Sequence, residues 1–131
     1  MEDLPTCIMP LTLDGKKSRL CHDERFLNLF IKDIPFRLDT LKDVPRIVGK
    51  GDRLINTDEK SGYDHVLLSE SSRKYFGFMF ADWVFRYRTL PFGFKLACYI
   101  YQKIGLVATN HIRELGIPAL QYIDDRLFDI L

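Results

Sequence analysis

Tyr122-Ile123-Asp124-Asp125 places two carboxylates side by side. Adjacent acids repel one another unless a cation or solvent screens them. A third acid, Asp58, ends the strand-like run Arg53–Thr57 and is followed by Glu59-Lys60-Ser61-Gly62-Tyr63. If that strand neighbours the segment bearing Asp124 and Asp125 in one sheet, three carboxylates meet at one edge. Oxygen-only donor sets of this kind suit Mg²⁺ or Mn²⁺. Two such ions stabilise the attacking and leaving oxygens of a phosphoryl displacement. Each acid alone also reads as a solvated turn residue. His22, His65 and His111 are scattered, as are Cys7, Cys21 and Cys98, so no nitrogen–sulfur ligand cluster competes.

Two further segments carry potential chemistry. Leu90-Pro91-Phe92-Gly93-Phe94 flanks an aromatic with Pro and Gly, which marks a turn where backbone can approach a ligand, or an ordinary connection. Lys16, Lys17, Arg19 and Arg25 form a basic cluster. It reads either as a solvated face or as a cradle for a triphosphate, since Arg and Lys bind phosphate as a fork or as a point charge.

The elements that must position these residues follow from periodicity. Leu11–Leu13 and Arg19–His22 flank a turn at 14–17 and predict a hairpin. Asp39 is expected to cap a short helix through Leu41 and Val44. Arg73–Phe80 and Val84–Leu90 have strand composition around a loop at Ala81-Asp82-Trp83. Ala97, Ile100, Tyr101, Ile104, Val107, Ala108, Ile112 and Leu115 predict one apolar stripe on a helix over 94–115, stopped by Gly116 and Pro118. Ala119–Ile123 and Leu127–Leu131 predict a hairpin with its acids at the tip. Strands and helices mix without βαβ alternation, so the class is α+β.

The chain has 131 residues, 47% hydrophobic and 28% charged, with a formal charge of +1. That profile excludes a disordered chain and a uniformly basic coat for nucleic acid. Its length suits one compact domain. No apolar run reaches the roughly 20 residues needed to span a bilayer. The N-terminus does not read as a signal peptide, so an intracellular setting, cytoplasm or nucleus, is expected.

In order, these segments resemble the reverse transcriptases of retroviruses and retrotransposons, from about Arg19 to Leu127. Arg19-Leu20-Cys21-His22-Asp23-Glu24-Arg25-Phe26-Leu27-Asn28 is similar to the fingers segment R-L-x-x-D-x-R-x-L-N. Asp58–Tyr63 resembles the first catalytic motif, and Arg73–Phe78 the R-K-Y-x-x-F strand. Leu90–Gly93 with Ala97 and Gln102 resembles L-P-F-G-x-x-x-A-P-x-x-F-Q, and Tyr122–Asp125 is the Y-x-D-D box. L-P-F-G with Ser61-Gly62-Tyr63 is closer to retrotransposons than to retroviruses. The sequence departs from the pattern at Glu59, Asp64, Cys98 and Tyr101.

The resemblance implies an incomplete polymerase: a palm-like antiparallel sheet with helices on one face (about 34–65 and 97–131) plus β-rich fingers (about 1–33 and 66–96). It implies nucleotidyl transfer from a dNTP to a primer 3′ end on an RNA or DNA template, with two Mg²⁺ or Mn²⁺ ions. Asp58, Asp124 and Asp125 would be the catalytic, metal-binding carboxylates, Asp125 less directly engaged, and the Glu59 backbone carbonyl would complete one shell. Arg19, Lys17, Tyr63, Phe92 and Gly93 would bind the nucleotide, with Tyr63 as sugar gate and Lys16 as a further helper. Arg25, Gln102 and Tyr122 would face template or primer. In the family a lysine-bearing motif, a primer-grip hairpin, a thumb and often an RNase H domain follow the Y-x-D-D hairpin. This sequence stops at FDIL, so a fragment that is inactive in isolation is expected. It would expose apolar surface and have the missing parts or another chain as partner. The alternative is a truncated or domesticated relic that binds nucleic acid or protein without synthesis. A two-metal nuclease is a third class, which the fingers segment and the Leu90–Gly93 block disfavour.

Overall fold

The computed structural model describes residues 4–17 and 19–130. In chain order the elements are β1 (Leu11–Asp14), β2 (Arg19–His22), α1 (Arg25–Asn28), β3 (Arg53–Asp58), α2 (Glu70–Arg73), β4 (Gly77–Phe80), β5 (Trp83–Arg86), α3 (Ala97–Glu114), β6 (Ala119–Tyr122) and β7 (Asp125–Ile130). The class is α+β with antiparallel sheets. The chain divides into two compact units, Met1–Asp33 with Tyr63–Ala97, and Ile34–Gly62 with Cys98–Leu131. Among the described residues no helix is long and apolar enough to cross a membrane.

The first unit holds two hairpins. In β1–β2, Asp14 Oδ1 accepts the Lys16 N–H at 3.2 Å, which closes the expected turn. In β4–β5 the turn is Ala81-Asp82 alone, with φ of 49° and 63°. Two positive φ values are the signature of a type I′ turn, whose twist matches the strands it joins, so Trp83 enters β5. Two expected strands are shorter than their composition suggested. Arg73, the expected start of the first strand, instead ends α2, and β4 starts only at Gly77. There the N-terminal segment crosses closely: a Cβ on Gly77 would lie 2.5 Å from the Cys7 carbonyl oxygen. Past Arg86, Tyr87 N–H still donates to Phe76 O, and the chain then changes partners, Leu90 N–H donating to Val66 O, both at 2.9 Å. Met9, Leu27 and Phe76 form the core, with Ile31, Leu68 and Phe94 packed against it.

The second unit is the sheet β3-β7-β6 with α3 packed on it. Leu131, the last residue of the expected final strand, lies outside the described residues. The short helix at Leu41–Arg46 is 3-10 with Pro45 inside it, and its N-cap is Thr40, not Asp39. Asp39 instead accepts from Gln121 N–H at 3.0 Å and Arg113 Nη2 at 3.1 Å, tying it to β6 and α3. α3 starts at Ala97, because the Pro91–Gly93 turn delays it.

Its buried face also differs from the expected stripe. Ala97, Tyr101, Gln102, Gly105 and Thr109 are buried, whereas Ile104, Val107 and Leu115 are exposed. The sheet opposes α3 with Gln121 and Arg126, so the matching helix face is polar and small. A Cβ on Gly105 would lie 2.5 Å from Gln121 Nε2. Close approach and hydrogen bonding therefore outweigh apolar periodicity at this face.

Candidate active site

Register builds the acidic edge. β3 and β7 pair antiparallel with Asp58 opposite Asp125, and β6 pairs with β7 with Tyr122 opposite the same Asp125. Directly opposed residues share a face, so Tyr122, Asp125 and Asp58 form one row across three strands. The next row on that face is Leu120, Leu127 and Asn56. Leu120, Leu127, Tyr122 and Asp125, with Leu41 and Val44, line a groove of about 850 Å³. Asp124 sits in the turn between β6 and β7, and its carbonyl accepts the Glu59 N–H at 2.9 Å. The two motifs, 65 residues apart (124 minus 59), are therefore joined backbone to backbone.

The turn itself is strained. Ile123 has φ of 56°, a region that penalises β-branched residues. It is held from below: Gln102 Oε1 accepts the Ile123 N–H at 3.0 Å and a Gln121 Nε2 hydrogen at 3.1 Å. Gln102, expected to face the template, is only 3% exposed, and its side chain supports this turn.

Beneath the acidic row lies a polar network that spacing alone did not reveal. Arg126 donates from Nε to Thr109 Oγ1 at 3.0 Å and from Nη2 to Gly105 O at 3.2 Å, and its Nη1 pairs with the Glu59 carboxylate. Thr109 donates to Gln121 Oε1, and the Tyr101 hydroxyl donates to Glu59. Glu59 and Tyr101, two departures from the family pattern, thus meet. Gly62 belongs to the same contact, since a Cβ there would overlap the Tyr101 hydroxyl. Gly62→Ala is expected to destabilise the second unit by about 1–3 kcal/mol. Urea denaturation checks this, and an unchanged midpoint would show that Tyr101 can move aside freely.

Among the described residues, the Asp58, Asp124 and Asp125 carboxylates make no hydrogen bond or ion pair. Nor do any three His, Cys, Asp or Glu side chains converge as a metal-holding group. The donor set is nevertheless all hard oxygen, the type that Mg²⁺ and Mn²⁺ take. Like charges directly opposite in a sheet are destabilising, and among the described residues no cation pairs with Asp58 or Asp125. A divalent cation suits that arrangement chemically.

In the first unit, three residues expected at the nucleotide stand together. Arg19 lies over the Phe92 ring, 5.7 Å from its centroid, and Tyr63 packs on the same ring at 4.7 Å. Gly93 has φ of +96°, and a Cβ there would come within 2.7 Å of the His22 carbonyl oxygen. Its own carbonyl accepts from Asn28 Nδ2 at 2.9 Å, which fastens the Leu90–Gly93 block to the fingers-like segment. Lys16 and Lys17 lie exposed in the β1–β2 turn.

Arg25 is exposed and forks onto Asp23, with Nη2 to Oδ2 at 2.7 Å and Nε to Oδ1 at 2.9 Å. The Arg25 hydrogen bonds hold the Asp23 carboxyl at about 2. A depressed carboxylate contributes stability present above its unfolded value and lost as pH falls through the folded one. An NMR titration of Asp23 is expected to show a midpoint near 2, returning towards about 4 in Arg25→Ala. An unshifted wild-type midpoint would mean that the fork does not persist in solution.

The family model for reverse transcriptase (RNA-dependent DNA polymerase) matches residues 14–129. The Retrovirus-related Pol polyprotein from transposon 412 of Drosophila melanogaster is 30% identical over 112 residues, 86% of this chain and 9% of that protein. The genome polyprotein of Petunia vein clearing virus is 30% identical over 111 residues, 85% of this chain and 5% of the polyprotein. The chain thus spans under a tenth of the length of these relatives. A foamy viral protease-reverse transcriptase solved with double-stranded DNA superposes with a TM-score of 0.82 at 18% identity, covering 99% of this chain and 23% of that one. The foamy viral protein solved with an RNA/DNA hybrid gives 0.80 at 17%, covering 99% and 17%. Chain order of motifs, fold and family match converge, and the chain belongs to the reverse transcriptase (RNA-dependent DNA polymerase) family.

Proposed function

We infer that this chain is part of the catalytic core of an RNA-directed DNA polymerase of retrotransposon type, with the second unit as palm and the first as fingers. The observation that carries the reading is the acidic edge: Asp58 opposite Asp125, and Asp124 bonded through its carbonyl to Glu59 N–H. Asp58, Asp124 and Asp125 would hold two divalent ions, which when bound supply charge stabilisation for the attacking 3′ oxygen and the departing pyrophosphate. The chain's own residues do the rest. Arg19, with Lys17 and Lys16, attracts the triphosphate. Phe92, Tyr63 and Gly93 offer a flat wall and a close backbone to base and sugar, with Tyr63 against the 2′ position. Tyr122, 51% exposed in the acidic row, and Arg25 face primer and template. Gln102 acts on the turn from below. The strained Ile123 shapes the turn that carries Asp124, with Asp125 following it as the first residue of β7.

The metal platform is testable in this chain directly. In EDTA, Asp58→Asn relieves the opposed charges and is expected to stabilise the second unit by about 0.2–1 kcal/mol. With Mn²⁺ at a hundredfold excess over its dissociation constant, wild type gains about 2.7 kcal/mol and the variant far less. Thermal melts in EDTA and Mn²⁺ measure both. Equal Mn²⁺ responses would remove Asp58 from the site.

A second reading, a binding module without synthesis, has one observation in its favour. Phe78, Phe80, Trp83 and Phe85 share a face of β4–β5, and Phe80 and Trp83 are 65% and 72% exposed. Exposed aromatic rows suit stacking with bases or a partner.

A further inference from the structure

We propose that Glu59 and Arg126 are positioning residues that hold Asp58 and Asp125 opposed before any cation arrives, an inference resting on the carboxylate-site reading above. The reasoning starts from the strand period. Successive side chains of a strand point to opposite faces. Asp58 and Glu59 are adjacent, as are Asp125 and Arg126. Within β7 this turns Arg126 to the α3 face, and Glu59, the first residue past β3, meets it there, where Tyr101 of α3 donates to its carboxylate. Above the sheet the two acids repel. Below it the two anchors attract, Arg126 Nη1 pairing with the Glu59 carboxylate.

The pairing is diagonal, as register requires: Arg126 stands opposite Thr57, two residues before Glu59. Long side chains reach across that diagonal. Both anchors are themselves fixed. Tyr101 donates to Glu59, and Thr109 and Gly105 O hold the Arg126 guanidinium. The side chain of Arg126 is 10% exposed and that of Glu59 37%, so solvent screens the attraction less than it screens the acids, both exposed. The Glu59 N–H completes the clamp by donating to Asp124 O at 2.9 Å. The half-buried attraction thus offsets the repulsion at the open face, and the ends of β3 and β7 stay closed without metal.

The test uses the whole chain and three variants: Glu59→Leu/Arg126→Leu, which leaves no unpaired buried charge, Glu59→Gln, which keeps the acceptor, and Asp124→Asn. Two quantities are read: Mn²⁺ affinity from paramagnetic resonance, and amide exchange of Glu59 N–H in EDTA. The double variant is expected to keep its melting temperature within a few degrees. It should bind Mn²⁺ about tenfold more weakly, the size typical of lost support around metal ligands, with the backbone N–H at position 59 exchanging about tenfold faster, after allowance for the residue change. Glu59→Gln, which keeps the side-chain shape but not the charge that pairs with Arg126, should weaken both binding and protection by about threefold, and if the double variant fails to fold, wild-type values in Glu59→Gln overturn the proposal. Wild-type affinity in the double variant, or wild-type protection of the N–H at position 59, overturns the proposal. Should wild type itself show no Asp124-dependent Mn²⁺ binding, the carboxylate-site reading fails separately, and the exchange result alone decides whether the anchors clamp the strand ends.

Discussion

Asp124→Asn, introduced into a transposon-type polyprotein that carries residues 14–129 of this chain as its reverse transcriptase segment, is expected to lower primer extension on an RNA template by about a thousandfold. Asparagine keeps the shape of the side chain and removes its charge. Losing one charged metal ligand removes several kcal/mol of transition-state stabilisation, and each 1.36 kcal/mol is about tenfold in rate. The turn should survive the change, since Ile123 is held by Gln102 Oε1 and the Asp124 carbonyl still meets Glu59 N–H. Asp125→Asn is expected to fall as well, because Asp125 stands directly opposite Asp58. Timed extension assays with Mg²⁺ measure both. Equal rates in wild type and Asp124→Asn would mean that any synthesis comes from elsewhere, and the binding-module reading would then stand.

The second large effect lies in the first unit. His22 and Glu24 pair through Nδ1 and a carboxylate oxygen with both side chains 0% exposed, and His22 Nε2 donates to Gly77 O at 3.0 Å. Burial and the Glu24 charge push the neighbouring Tyr87 phenol up. Removing one partner of a buried pair strands the other charge. His22→Leu is therefore expected to cost about 3–5 kcal/mol. Gly77 O does not add to that cost, because it still accepts the Met9 N–H at 2.8 Å. The double change His22→Leu/Glu24→Leu leaves no stranded charge and should recover most of the loss, because well-packed apolar replacements of buried pairs are near neutral or stabilising. A double-mutant cycle by urea denaturation reads the coupling. Additive single effects would show that the two side chains act independently.

The two pairs mark where local reading stops. His22 and Glu24 both lie inside the fingers-like segment, yet nothing in their spacing separates a buried pair from two surface residues. Glu59 and Arg126 are 67 residues apart (126 minus 59), and no local pattern links them. The one available signal was departure from the motif: Glu59 and Tyr101 are polar where the family pattern is apolar, and two polar departures that need burial must satisfy one another. The apolar stripe of α3 misled for the same reason. Periodicity reports which helix face is greasy, whereas Gln121 and Arg126 on the sheet decide which face is wanted.

By itself the sequence determined the family, the α+β class, the hairpin turn that carries Asp124, and which carboxylates are candidates for a hard-oxygen site. Those features are local: they depend on residue types in short windows and on motif order along the chain. Only the tertiary structure decided that Asp58 faces Asp125, that the Asp124 carbonyl closes on Glu59, and that a half-buried charge pair stands behind the exposed acids. The physical reason is that strand register and cross-sheet pairing are set by many weak contacts among residues distant in sequence. A slip of one residue would send every side chain to the other face, exchanging the acids for their anchors.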